Sequence, residues 1–583
     1  MRTAIQLFYA CIAITFVGLS TAAADDQSQR NQETRNQPEC WIPASSSIFI
    51  AVEQPQLIID VLSSAQLHDR LATIPQYQKS DTPEKLKQLG MVVGVIEGQL
   101  GLSWKEVARD LVTGVYLAND PANKATLVFV RGKNAELLAK LNQTVIDLTS
   151  ADANRRNKES PVKSKEYNGV TGWAFGEKEC HAFIGDWLVV SDKSDALREV
   201  IDREQDSKSK SLAENKAVAN LRKSSSGALA WGGLRLDILR EQPKFVDGLT
   251  PKNNPAAEFL FGGLFESLRN APLLQFSMRA DGDKLQASFA VERGESTRGW
   301  FFTQGDSLLS VPGLIGGISL ARDVGGMWMD REKLFDEATN AKITQADSNL
   351  ALFFSGRDFG PEILGQLGTS WQVLAAERKF TGEEPMPSIK LPAFALVIGL
   401  KEESFADTLV QAYQNIIGLN NLQAVQAGRP QLLLGSVEHQ GVTLSKATHV
   451  VVPKADSEQG RFDYNFQPTC ARVGKHFVLG STVQIVRDAI DQLKARTTSK
   501  AGASSSINSS IQVQVAPLVA AFNANKELLV ARHTLNTGKP REEARVDIDK
   551  LYEAAALLNR AAIELKTTDK ELRLDITVEH GIK

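Results

Sequence analysis

The sequence predicts an α+β fold made of two tandem, internally homologous halves. Each half is expected to be a mixed or antiparallel sheet with helices packed on one face and a C-terminal hairpin. Three observations predict this: a long segment occurs twice, strands and helices follow in one order in both halves, and each half closes on a hairpin pattern. Gly169-Val170-Thr171 returns as Gly441-Val442-Thr443. The run from Ile184 to Asp202 returns as Val473 to Asp491, with Gly185 to Gly474 and Arg198 to Arg487 sharing one offset of 289. The other matched landmarks drift only between offsets of 267 and 289, which short loop insertions explain.

The first half opens with a strand over 48–52 and a helix over 57–62, the second with a strand over 318–320 and a helix near 331–337. Pro43 and Pro312 precede these strands at comparable distances. Leu102-Ser103-Trp104 and Thr369-Ser370-Trp371 come next. They lead to apolar strands over 125–130 and 394–399, then helices over 135–148 and 404–417.

In the repeated segment Gly185-Asp186 and Gly474-Lys475 supply tight hairpin turns, where glycine permits a positive φ. The following helices start with Asp192 and Asp195 in one copy and Ser481 and Gln484 in the other, the latter a capping-box pattern. Ala196, Leu197, Val200 and Ile201 share one helical face, and Ile485, Val486, Ala489 and Ile490 copy it, so both faces should bury against a sheet. Arg198 and Arg487 fall outside that face and are expected at the surface.

The closing hairpins are read at 274–278 with 285–291 and at 563–566 with 572–578. Polar stretches at 151–166, 204–216 and 497–510 read as surface loops. The expected organisation is a signal peptide 1–24, a flexible polar leader 25–40, a first repeat 41–294, a junction 295–309 and a second repeat 310–583.

Arg2, an apolar run over about 4–19 and the small residues ending at Ala24 form a secretory signal pattern, with cleavage expected before Asp25. No later run is long and apolar enough to span a bilayer, so no transmembrane segment is expected in the mature chain. A net charge of −3 without a basic block argues against nucleic acid as partner. Cys40, Cys180 and Cys470 remain after cleavage; their odd number and wide spacing fit free, half-buried thiols. Cys40 with Cys180 is the pair placed to bridge if any pair does.

One four-residue pattern occurs twice in the second half: Arg322-Asp323-Val324-Gly325, after the strand 318–320, and Arg357-Asp358-Phe359-Gly360, after a strand read at 350–354. At strand ends aspartate supports a turn and glycine relieves it, while the charges can also border a cleft. Arg322, Asp323, Arg357 and Asp358 are therefore the candidate partner-binding residues. Asp358-Phe359-Gly360 matches the kinase metal triplet by accident, since no phosphate loop or His-Arg-Asp accompanies it. There is no GxSxG elbow, no HExxH pair and no EF-hand ligand series. No catalytic, metal or cofactor residues are assigned, and no cofactor is expected.

The signal peptide, the start Trp41-Ile42-Pro43-Ala44-Ser45-Ser46-Ser47-Ile48-Phe49-Ile50 and the recurring strand-helix units resemble uncharacterised exported bacterial proteins grouped as a domain-of-unknown-function family. The resemblance covers most of the mature chain. It implies export and the repeated α+β build, with no functional residues to carry over. The functional expectation is a non-catalytic binding or scaffold module of the periplasm, envelope or extracellular space, with an envelope or extracellular macromolecule as partner. Two other classes stay open: a carrier of an apolar ligand between the halves, and a hydrolase whose site is assembled from distant residues.

Overall fold

The computed structural model describes residues 37–56 and 112–581, apart from 133–134, 156–158, 177–178, 207–209, 242, 250–252, 381–385, 428–430, 450–461 and 499–505. The expected signal peptide, most of the expected leader, the helix expected at 57–62 and Trp104 lie outside the described residues. The chain divides into two compact units. The first holds the described residues up to Val246 together with Ala271–Glu292; the second holds Asp247–Asn270 and Arg293–Gly581. The boundary thus differs from a simple cut at 295–309, because a helix that precedes the first closing hairpin belongs to the second unit.

The first unit contains β1 (Ile48–Val52), β2 (Val112–Asp120), β3 (Ala125–Gly132), β4 (Val162–Tyr167), β5 (Val170–Phe175), β6 (Cys180–Ile184), β7 (Trp187–Ser191), β8 (Ala230–Arg235), β9 (Leu273–Asp281) and β10 (Lys284–Glu292). They pair in the order β4-β5-β6-β7-β3-β2-β1-β8-β9-β10, antiparallel throughout.

The second contains β11 (Leu314–Ala321), β12 (Leu367–Ala376), β13 (Ala393–Leu400), β14 (Leu432–His439), β15 (Val442–His449), β16 (Thr469–Val473), β17 (His476–Gly480), β18 (Ile507–Gln514), β19 (Leu558–Thr567) and β20 (Glu571–His580). Their order is β14-β15-β16-β17-β13-β12-β11-β18-β19-β20, again antiparallel throughout. Each strand of the second unit occupies the place of the strand ten earlier. The fold is α+β.

Gly185 and Gly474 sit at the β6–β7 and β16–β17 turns with φ of 56° and 54°. The helices Ser194–Gln205 and Val483–Thr498 bury the two matched apolar faces, joined by Leu493 in the second. The expected Ser481–Gln484 capping box is not used. The Ser481 hydroxyl accepts the Phe394 N–H instead, and Thr482 accepts the N–H of Ile485 at 3.4 Å.

The core of the first unit is aromatic. Trp187 meets Trp41 and Tyr116 edge-on, and Tyr116 meets Trp231 the same way at 6.4 Å. In the second unit helices cover both sheet faces rather than one. Ala393, Ala395 and Val397 of β13 pack with the helix Val483–Thr498, while Ile398 and Leu400 pack with the helix Phe405–Gln426. Side-chain alternation along one strand feeds both layers.

Two expected loops hold regular structure. The helix Ala135–Arg155 and β4 occupy most of 151–166, and β18 begins inside 497–510. Polarity misleads at β4 because it is an edge strand, which tolerates lysines on its open side. No disulfide joins Cys40, Cys180 or Cys470 among the described residues, and burial pushes the Cys180 and Cys470 thiols up to about 12. Among the described residues no helix is long and apolar enough to cross a membrane.

Candidate functional site

The first of the two repeated Arg-Asp turns is buried. Arg322 is 0 % exposed. Its guanidinium donates to the carbonyls of Phe259, Leu260 and Ala321 and to Asn508 Oδ1, and it lies 3.9 Å from the Phe301 ring centroid. Burial pulls its pKa down to about 9, so it is still charged at neutral pH. Phe259 and Leu260 belong to the helix Pro255–Asn270, which Arg322 pins within the second unit. Gly263 of that helix leaves room for Phe301: a Cβ there would fall 2.2 Å from the ring. On the same helix Glu258 and Glu266 both hold Arg298. Asp323 caps the helix Val324–Met329 by accepting the Gly326 N–H at 2.9 Å.

The second turn is exposed. It follows a helix, Glu337–Ala351, and a 3-10 turn, Leu352–Phe354, where a strand is expected from sequence. The stretch Leu350 to Phe354 is apolar enough for a strand, but the helical register running up to it carries through. Arg357 donates to Thr408 Oγ1 at 3.2 Å, and Asp358 accepts the Gly360 N–H. The two turns are joined by packing, since Trp328 meets the Phe359 ring edge-on and faces Gly360. Their charged side chains share no partner among the described residues. Arg357→Ala with Asp358→Ala is expected to cost about 1 kcal/mol or less, since both are exposed and lose one bond each; thermal unfolding of the double variant checks it.

Trp371 lies in β12 and packs against the cluster around Ile398 and Phe405, a core position.

Arg198 and Arg487 diverge. Arg198 pairs with Asp195 at 2.9 Å and lies over Tyr167. Arg487 lines a cleft of about 670 Å³ in the second unit, together with Arg378, Lys379 and the first turn of the helix Val483–Thr498. Arg378 donates to the Tyr464 carbonyl and sits over Phe380. The sequence signal for this cleft is a length difference. β2 and β3 are joined by the four residues 121–124, whereas β12 and β13 are joined by the sixteen residues 377–392.

A second feature is apolar. The helices Ala135–Arg155 and Phe405–Gln426 hold equivalent places after β3 and β13. The first exposes Glu136, Lys140, Gln143, Asp147, Asn154 and Arg155; the second exposes Ile416, Leu419, Leu422 and Val425. The edge strands differ likewise: β4 exposes Lys163 and Lys165, while β14 exposes Leu433 and Leu434. Asn421 ties helix to edge, exchanging two 2.7 Å hydrogen bonds with the Leu432 backbone. A helix apolar on more than one face is a readable signal of a second contact surface.

No protein-family profile matches this chain, and no curated protein does. Solved structures that resemble it include crystal forms I and III of TP0453. Form I is 12% identical, with a TM-score of 0.22, over 45% of this chain and 80% of that one. Form III is 11% identical, with a TM-score of 0.23, over 45% and 81%.

Proposed function

We propose that the chain is an exported, non-catalytic binding or scaffold protein of the envelope or extracellular space, built by duplication of one α+β repeat. In this reading the second repeat carries the docking surface for another macromolecule. The carrying observation is the contrast between equivalent helices. One copy keeps a polar outer face, whereas the other exposes Ile416, Leu419, Leu422 and Val425 beside the leucines of β14. Exposed apolar groups gain about 25 cal/mol per Å² when a partner covers them. The partly exposed cross-strand neighbours Val373, Ile318, Ile511 and Ile563 add further apolar surface in the same unit.

Leu419→Lys with Leu422→Lys tests the reading. Both side chains are exposed, so stability is expected to change by about 0.5 kcal/mol or less per site. Capture of the partner from envelope extract by the tagged chain is expected to be lost. Undiminished capture by a folded double variant would remove the stripe from the docking surface.

A further inference from the structure

β4 and β14 each stand at one edge of their unit's sheet, and the two edges are guarded differently. Both strands run into a two-residue turn, Asn168-Gly169 or Gln440-Gly441, with positive φ at both positions. Aligned on these turns, Pro161, Lys163 and Lys165 of the first unit stand where the second has Leu433, Gly435 and Val437. Proline and lysine on an open edge keep other strands from adding to it. β14 lacks that protection.

A turn of this kind closes on a hydrogen-bonded pair, here His439 and Val442, so alternate residues of β14 turn their N–H and C=O groups away from β15. These residues are Leu432, Leu434, Ser436 and Glu438. Asn421 takes both backbone groups of Leu432 at 2.7 Å. The backbone groups that Leu434, Ser436 and Glu438 turn outward have no partner among the described residues, and the strand is exposed from Leu433 to Ser436. The open stretch is therefore short and centred on Ser436.

We propose that β14 pairs antiparallel with β14 of a second copy of this chain, about a two-fold axis at Ser436, to form a symmetric dimer. The register follows from the open stretch. Ser436 meets Ser436, and Leu434 meets Glu438 in both directions, so each outward N–H and C=O finds its complement. Asn421 blocks a slide toward Leu432. A second copy offers a strand that is open over the same length and carries no opposing charge: Gly435 falls beside Val437, and no like charges face each other. The same pairing of β4 would set Lys163 against Lys165 in both directions, and directly opposed like charges destabilise a strand pair. The inference concerns the strand edge and does not rest on the helix stripe.

Sedimentation velocity of the full chain over a concentration series tests it, with thermal unfolding as the check that each variant folds. A concentration-dependent dimer is expected. Leu434→Glu sets a carboxylate opposite Glu438 of the second copy and should weaken the dimer roughly tenfold. Leu434→Lys offers that same carboxylate a cation and should leave the dimer as tight as the wild type or tighter. Ser436→Pro removes the central N–H donor of each copy without touching the ladder to β15, and should weaken the dimer roughly tenfold or more. A monomer at every concentration overturns the proposal. So does a dimer that all three variants leave unchanged, or one that Leu434→Glu and Leu434→Lys weaken equally, since an apolar contact without this register would respond to both.

Discussion

Arg322→Ala is expected to destabilise the second unit by about 3–5 kcal/mol, the range for removing one member of a buried, hydrogen-bonded charge network. The substitution strips donors from three backbone carbonyls and from Asn508 Oδ1, and it empties the space above the Phe301 ring. Asn508 is itself committed, since its amide donates to the carbonyls of Phe301 and Thr303. It has no other cation to turn to among these contacts. The helix Pro255–Asn270 should loosen first, because its Phe259 and Leu260 carbonyls lose their donor. Urea unfolding followed by tryptophan fluorescence measures the loss, and hydrogen exchange across 255–270 locates it. A cost near that of Arg357→Ala with Asp358→Ala would show that the buried arginine is not the clamp described.

Opposed pH slopes are expected in the first unit, each worth about 3 kcal/mol at its limit. His181 is 0 % exposed and stacks between Trp173 and Phe175, and burial lowers its pKa to about 4. The unfolded chain takes up this proton near pH 6.5 but the folded one only near 4. Stability from His181 is therefore present above pH 6.5 and lost as the pH falls toward 4.

Glu39 has the reverse sign. Burial raises its pKa to about 7, more than the Arg222 guanidinium 2.8 Å away lowers it. Its contribution is complete below about pH 4.5 and lost as pH rises through 7. The wild type should show a shallow profile because the two offset each other. His181→Phe should gain stability as pH falls from 7 to 4.5, and Glu39→Gln should lose it over the same window. Superposable profiles for the three proteins would contradict both assignments.

The turns and helical faces that the two units share in pattern were legible because their signals are local. Gly185 and Gly474 mark turns through their φ, and the two matched helical faces show in apolar spacing alone. The role of Arg322 was hidden, because Arg322-Asp323-Val324-Gly325 and Arg357-Asp358-Phe359-Gly360 look alike in sequence. What separates them is the helix Pro255–Asn270, some sixty residues upstream, which buries one turn and leaves the other open. Arg487 was read as a surface residue for a similar reason. Its helix spacing places it off the buried face, but the connection carrying Arg378 and Lys379 closes a cleft over it. The strand expected at 350–354 failed because a short apolar run satisfies helix and strand patterns equally, and the preceding helical register decides.

If the second unit alone has diverged for binding, cross-linking in the native host will separate the two units. A photoreactive residue is placed at Leu422 in the second unit, and another at Gln143 on the equivalent helix of the first. Both positions are exposed, so both variants should fold. A discrete cross-linked partner is predicted at Leu422 and none at Gln143. No product at Leu422, or the same product at both positions, would rule out a docking surface confined to the second unit.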